Sequence, residues 1–141
     1  MDDCGKPLKL LSERGVLFPQ GTSGIFVDGD VDPLRIEEGV RLCPGCRITG
    51  SKTLIRKGAR LGLTGPCVLN DMVLGREVSL GSGYFEKSVL LSGVKLGSSI
   101  RIRENCLLEE GVELSFSVDV KHTFLLADVV LGSEINFCDL L

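Results

Sequence analysis

At 141 residues the chain is long enough for one domain with a real core, or for about seven or eight turns of a thin solenoid. A net charge of −3 supplies no basic stripe to displace counterions, so nucleic acid is excluded as an expected partner. No apolar run reaches membrane-spanning length, and Asp2 and Asp3 stand where a signal peptide carries positive charge, so a cytoplasmic protein without membrane contact is expected.

Residues 1–24 follow no repeat. Leu8, Leu10, Leu11, Val16, Leu17 and Phe18 make this stretch apolar enough to fold over the open end of whatever follows. Asp28, Asp30 and Asp32 imitate the start of a calcium-binding loop, but Pro33 and Gly39 replace its required glycine and final glutamate. A turn is predicted there, and no metal.

Six-residue repeats begin at Ile36-Glu37-Glu38-Gly39-Val40-Arg41 and continue through Leu42 to Ile48. They slip at Thr53-Leu54-Ile55, resume to Leu61, and give way to an irregular stretch, Gly62 to Asn70, that reads as a bulged corner. Two more hexads run from Leu74 to Phe85. From Leu90 the pattern holds seven times without an insertion. Its first position is Leu90, Leu96, Ile102, Leu108, Leu114, Val120 and Leu126; its fifth is Val94, Ile100, Cys106, Val112, Val118, Phe124 and Val130. Filling fourteen slots by chance has a probability on the order of 10⁻⁵ per frame.

A period of six fits neither a helix nor an alternating hairpin. It is the mark of a parallel β-solenoid in which each hexad gives one short strand and one corner. Glycines recur between the apolar positions (Gly39, Gly45, Gly58, Gly93, Gly111), as corners with positive φ require. Six cysteines accompany no secretory signal, and Cys46 and Cys106 fall on inward positions, so they read as reduced core residues. Cys43-Pro44-Gly45-Cys46 has zinc-like spacing but no second pair and no nearby histidine to complete a site. The apolar, mid-repeat run Asn136 to Leu141 predicts a solenoid domain, residues 25–141, truncated at its C-terminal end.

Three hexads make one triangular coil, so residues 18 apart should stack about 4.8 Å from each other. Position six then points outward in three ladders. Lys95 lies over Glu113 and Arg101 over Asp119, two opposite-charge pairs suited to water. The third ladder, Val89, Leu107 and Leu125, is apolar. An apolar stripe on one side of a three-sided prism predicts a homotrimer through that face.

Hexads of this kind resemble the left-handed parallel β-helix of hexapeptide acyltransferases and sugar nucleotidyltransferases, which gives an all-β fold with a short N-terminal cap. Residues 120–136, Val120-Lys121-His122-Thr123-Phe124-Leu125-Leu126-Ala127-Asp128-Val129-Val130-Leu131-Gly132-Ser133-Glu134-Ile135-Asn136, align without a gap to the family run V-G-H-x-x-Y-I-G-D-A-x-I-G-x-x-V-N. That run is similar to the acetyltransferase half of bacterial bifunctional N-acetylglucosamine-1-phosphate uridyltransferases and to shorter stand-alone relatives. Gly83-Tyr84-Phe85 and Asn136 to Asp139 add to the likeness.

The resemblance implies acetyl transfer from acetyl-CoA to an amino-sugar phosphate in the making of UDP-N-acetylglucosamine. His122 would be the general base and Asn136 part of the substrate site, since an imidazole can take the proton an attacking amine loses. Glu104, eighteen residues before His122, is expected to stack on it and orient the ring, with Lys121 beside them in the substrate site. The family's phosphate-binding lysine is Glu110 here, and Lys121 replaces a glycine. Uridylyl transfer is not expected without the nucleotide-binding domain, and the coenzyme A coils are expected past residue 141. A non-catalytic trimeric scaffold is the alternative. A β-helical carbonic anhydrase would need more histidines than the single one here.

Overall fold

The computed structural model describes residues 5–138. The chain is a parallel β-helix of about seven coils with one short helix, Gly5–Glu13, at its start. Every strand pairing is parallel, each strand lying beside its counterpart one coil away. The prism has three faces. Eleven strands form one continuous sheet over the first two, because Glu113–Lys121 turns from one face to the next without breaking its ladder. Five strands, from Leu54–Ile55 to Phe124–Leu125, form the third.

Alternation within each short strand builds the core. On the first face Leu42, Leu61, Leu80, Leu96 and Leu114 stack inward; on the second Ile48, Leu69, Phe85, Ile102 and Val120 do so; on the third Ile55, Leu74, Leu90, Leu108 and Leu125. All fifteen are buried. The interior is therefore one narrow column of apolar side chains, aliphatic but for Phe85 among these fifteen. The starting end is closed by the helix, whose Leu8 and Leu11 are buried against it together with Val16. Leu17 then joins the first face beside Arg41. Asp32 caps the short 3₁₀ turn Pro33–Arg35 through a hydrogen bond from Leu34 N.

The five corner glycines all have positive φ, from +74° to +96°. At Gly45 the reason is visible beyond torsion: a Cβ there would sit 3.1 Å from the Pro66 backbone of the next coil. Cys67–Asn70, read from the sequence as part of an irregular corner, is a regular strand; the extra residues form the corner before it. The charged ladders hold in register, Lys95 beside Glu113 and Arg101 beside Asp119. Asp119 nevertheless takes its hydrogen bond from Arg103 Nε, at 2.9 Å.

The eighteen-residue coil does not hold throughout. On the third face the outward partners are Leu54, Val73, Val89, Leu107 and Phe124, separated by 19, 16, 18 and 17 residues. One residue is lost between Val120 and Phe124, which overturns the last hexad of the sequence frame. Leu125 is inward and 5% exposed, whereas Leu126 is 63% exposed. Phe124 and Val130, expected inside, are exposed as well. The cause is Thr123. Its buried hydroxyl donates to Lys121 O at 2.9 Å, so a polar residue can take the inward slot at the corner. Ser88 does the same two coils earlier, donating to Arg103 O at 2.9 Å and accepting from Cys106 N at 3.0 Å. The outward apolar ladder consequently runs Val89, Leu107, Phe124 rather than ending at Leu125, and it begins earlier, at Leu54.

No described helix is long and apolar enough to cross a membrane.

Candidate functional site

His122 sits at the corner between the second and third faces. Its φ of +49° is shared along that corner by Gly50, Asp71, Lys87 and Asn105, at +97°, +52°, +45° and +62°. The left-handed conformation is thus a demand of the coil at this point, met once per turn, and not a special strain at the histidine. The backbone is held by His122 N donating to Glu104 O at 3.1 Å, as Asn105 N donates to Lys87 O one coil before.

The shortened coil decides the side-chain partners. Asn105, not Glu104, shares the slot of His122, and Asn105 Nδ2 lies 3.2 Å from His122 Nδ1. Glu104 pairs instead with Lys121, Oε1 to Nζ 3.8 Å. The expected stack of Glu104 on the imidazole is therefore not formed. An amide nitrogen donating to Nδ1 would leave the proton on Nε2; the opposite amide orientation lets Oδ1 accept from Nδ1–H and leaves Nε2 as the free acceptor. Only the second arrangement gives a base. The imidazole is half-buried.

Asn136 lies elsewhere. It is exposed on the second face, in the strand Val130–Cys138, directly beside Asp119. Lys121 is in the same ladder as Cys138, two residues further toward the corner. The structure thus gathers His122, Asn105, Lys121 and Glu104 at one corner, with Asn136 on the face leading to it. Glu110 is at the opposite corner of the third face, where its carbonyl accepts from Asp128 N.

A groove of about 550 Å³ follows the His122 corner through the preceding coils. Lys52, Asp71, Lys87 and Asn105 line it on the corner side, and Val73 and Val89 on the apolar face. Two lysines, a carboxylate and an amide at the corner and an apolar ladder alongside give it one polar and one apolar wall. Sequence reasoning missed Asn105 and this groove. The signal was present in the 17-residue spacing from Asn105 to His122, but a uniform period of 18 hides it.

The cysteines do not join this site. Cys46 and Cys67 oppose each other across adjacent coils inside the core. The contact between the two thiols, reinforced by burial, pushes Cys67 well up; the same contact draws Cys46 down against the burial that opposes it. Burial raises Cys43 and Cys106. Among the described residues no cluster of His, Cys, Asp and Glu is arranged to hold a metal ion.

Comparison with known proteins agrees with the coil. Bifunctional protein GlmU of Streptococcus equi subsp. zooepidemicus is 31% identical over 115 residues, covering 72% of this chain and 25% of the relative. The chain is a hexapeptide-repeat β-helix that resembles GlmU. GlmU of Streptococcus thermophilus is 27% identical over 138 residues, 88% of this chain and 28% of the relative. GlmU of Lactobacillus delbrueckii subsp. bulgaricus is 27% identical over 125 residues, 79% and 25%. The chain spans about a quarter of the length of the curated relatives it matches. No protein-family model and no solved structure gives a significant match. The GlmU likeness carries with it the left-handed sense of hexapeptide-repeat helices.

Proposed function

We propose that this chain is the acceptor-binding part of a cytoplasmic acetyltransferase of sugar-nucleotide metabolism, acting on an amino-sugar phosphate with acetyl-CoA as co-substrate. The observation that carries the reading is His122, half-buried at a corner beside Asn105, which lines the polar wall of the groove through the preceding coils. The GlmU resemblance supplies the substrate class.

In this reading Asn105 acts first, as an orienter. With its amide turned over, the carbonyl oxygen in place of Nδ2, it accepts from Nδ1–H and leaves Nε2 toward the acceptor amine. The amine nitrogen attacks the thioester carbonyl, Nε2 takes the proton it loses, and the coenzyme A thiolate departs. Lys121 and Glu104 offset each other's charge at 3.8 Å, so the corner next to the base is close to neutral and suits sugar hydroxyls. Asn136, on the adjoining face, would meet the far side of the sugar.

We further propose that three copies assemble through the third face. Leu54, Val73, Val89, Leu107 and Phe124 form an unbroken apolar ladder there, and Phe124 is 39% exposed. A three-fold arrangement closes such an interface and encloses the groove beside it.

The test is acetyl transfer to glucosamine 1-phosphate by the protein in its natural length. His122→Ala is expected to lower kcat by at least about 100-fold, the usual worth of a positioned base, with the assembly unchanged by sedimentation. Asn105→Ala should reduce kcat more than it changes KM, since it orients the base without touching substrate. Undiminished activity in His122→Ala removes the base. The scaffold reading then stands, and Glu110 in place of the family's lysine is the observation in its favour.

A further inference from the structure

The outward ladder of the first face contains a like-charge pair. Arg41 and Arg60 are register partners on adjacent coils. Neighbouring strands lie about 4.8 Å apart, and like charges placed directly opposite destabilise a sheet. Further along this ladder Lys95 pairs with the opposite charge of Glu113, and on the second face Arg101 pairs with Asp119. The ion pairs among the described residues join Arg56 to Glu37, Arg103 to Asp119 and Lys121 to Glu104; none includes Arg41 or Arg60.

We propose that the stacked Arg41–Arg60 pair is a binding site for the phosphoryl group of a small ligand, separate from the His122 corner. Several features build it. Arg60 Nη2 donates to Ser79 Oγ at 2.8 Å, and Ser79 is 9% exposed, so one edge of the guanidinium is fixed. Its remaining N–H groups are left for a ligand. A groove of about 270 Å³ opens between the arginines, lined by Leu17, Gly39, Gly58 and Glu77. Gly39 and Gly58, at φ +78° and +80°, leave that edge free of side chains and let a ligand approach the backbone.

A phosphoryl group suits two guanidinium forks. Its terminal oxygens accept from two planar donors at once, whereas one carboxylate is filled by a single fork. Lys95 follows Ser79 in the same ladder and extends the positive column past Arg60. Glu77 is the built-in competitor. Its carboxylate lies over Gly58, where a Cβ would collide with it, yet it is not within ion-pair distance of either arginine. Two positive charges against one negative leave the groove net positive for a dianion.

The experiment titrates inorganic phosphate, and then pyrophosphate, into ¹⁵N-labelled protein at constant ionic strength, following the arginine Nε–Hε signals. Saturable shifts at Arg41 and Arg60, absent with chloride, are expected. Arg41→Gln and Arg60→Gln should each weaken binding at least tenfold, and Glu77→Gln should tighten it. His122→Ala should leave it unchanged, which separates this site from the one proposed above. Without ligand, Arg41→Gln should melt at the same temperature as the parent or higher, since the like-charge contact is relieved without loss of the Arg60–Ser79 hydrogen bond. Shifts that do not saturate, or binding indifferent to all three substitutions, overturn the site. A lower melting temperature in Arg41→Gln overturns it too, by making the pair a structural contact.

Discussion

Two adjacent leucines test the register of the last complete coil. Leu125 is 5% exposed and stacks on Leu108; Leu126, the next residue, is 63% exposed. Truncating Leu125 to alanine removes about three methylene equivalents from the column, worth about 2.4 kcal/mol at about 0.8 kcal/mol each. A residual cavity adds to this, because the parallel ladder on either side cannot close over it; buried Leu→Ala changes span about 2.7–5.0 kcal/mol. Leu125 is near the end of the described coils and has few layers above it, which places it at the low end, about 3 kcal/mol. Leu126→Ala removes side chain already in water and should cost below about 0.5 kcal/mol. Urea denaturation followed by circular dichroism reads both. With a slope of about 2 kcal/mol/M, Leu125→Ala should lower the midpoint by about 1.5 M and Leu126→Ala by a few tenths at most. The reversed order would restore the uninterrupted period of 18 and refute the shortened coil.

Val112→Asp places a carboxylate at a fully buried position of the first face and should cost several kcal/mol by the same assay; a loss below about 1 kcal/mol would contradict its inward orientation. Leu107→Glu with Phe124→Glu puts two charges in the third-face ladder and should turn a trimer into a monomer in sedimentation equilibrium; a trimer that survives moves the interface elsewhere. The Glu37 carboxylate accepts from Lys57 N at 2.8 Å and lies 3.6 Å from Arg56, and these contacts hold its pKa below the usual glutamate value. Its stabilisation is therefore present above the unfolded pKa of about 4.3 and is lost as pH falls through the lower folded value. The stability gap between the parent and Glu37→Gln should be constant near neutrality and shrink in acid, and a gap that widens there would refute the assignment.

The parts of this fold legible in the sequence are those in which apolar residues alone set the pattern. Leu96, Ile102, Leu108, Leu114 and Val120 are inward as the hexads require, and the corner glycines carry the positive φ their spacing asks for. What failed was the assumption that inward means apolar. Thr123 and Ser88 are buried because a corner offers backbone partners to a hydroxyl, and no hydrophobic count can register that. The early coils were obscured for a different reason. Extra residues between Gly62 and Pro66 enlarge a corner without disturbing Leu61 or Leu69, so the core is regular where the sequence period is not.

Coil length then determines chemistry as well as packing. A period of 18 would set Glu104 against His122; the 17-residue step sets Asn105 there and sends Glu104 to Lys121. A carboxylate at that slot would add a charge to the ring, whereas an amide adds only an orientation. The same logic hides Arg41 and Arg60, which are 19 residues apart and belong to no common slot in a uniform frame, yet are direct neighbours in space. Residues facing outward at corners are the ones a solenoid leaves free for function, and their partners change with every inserted or deleted residue while the core behind them stays the same. His122 was singled out because a motif marked it. Its partner was not, because partnership in this fold is set by the length of the turn between two strands.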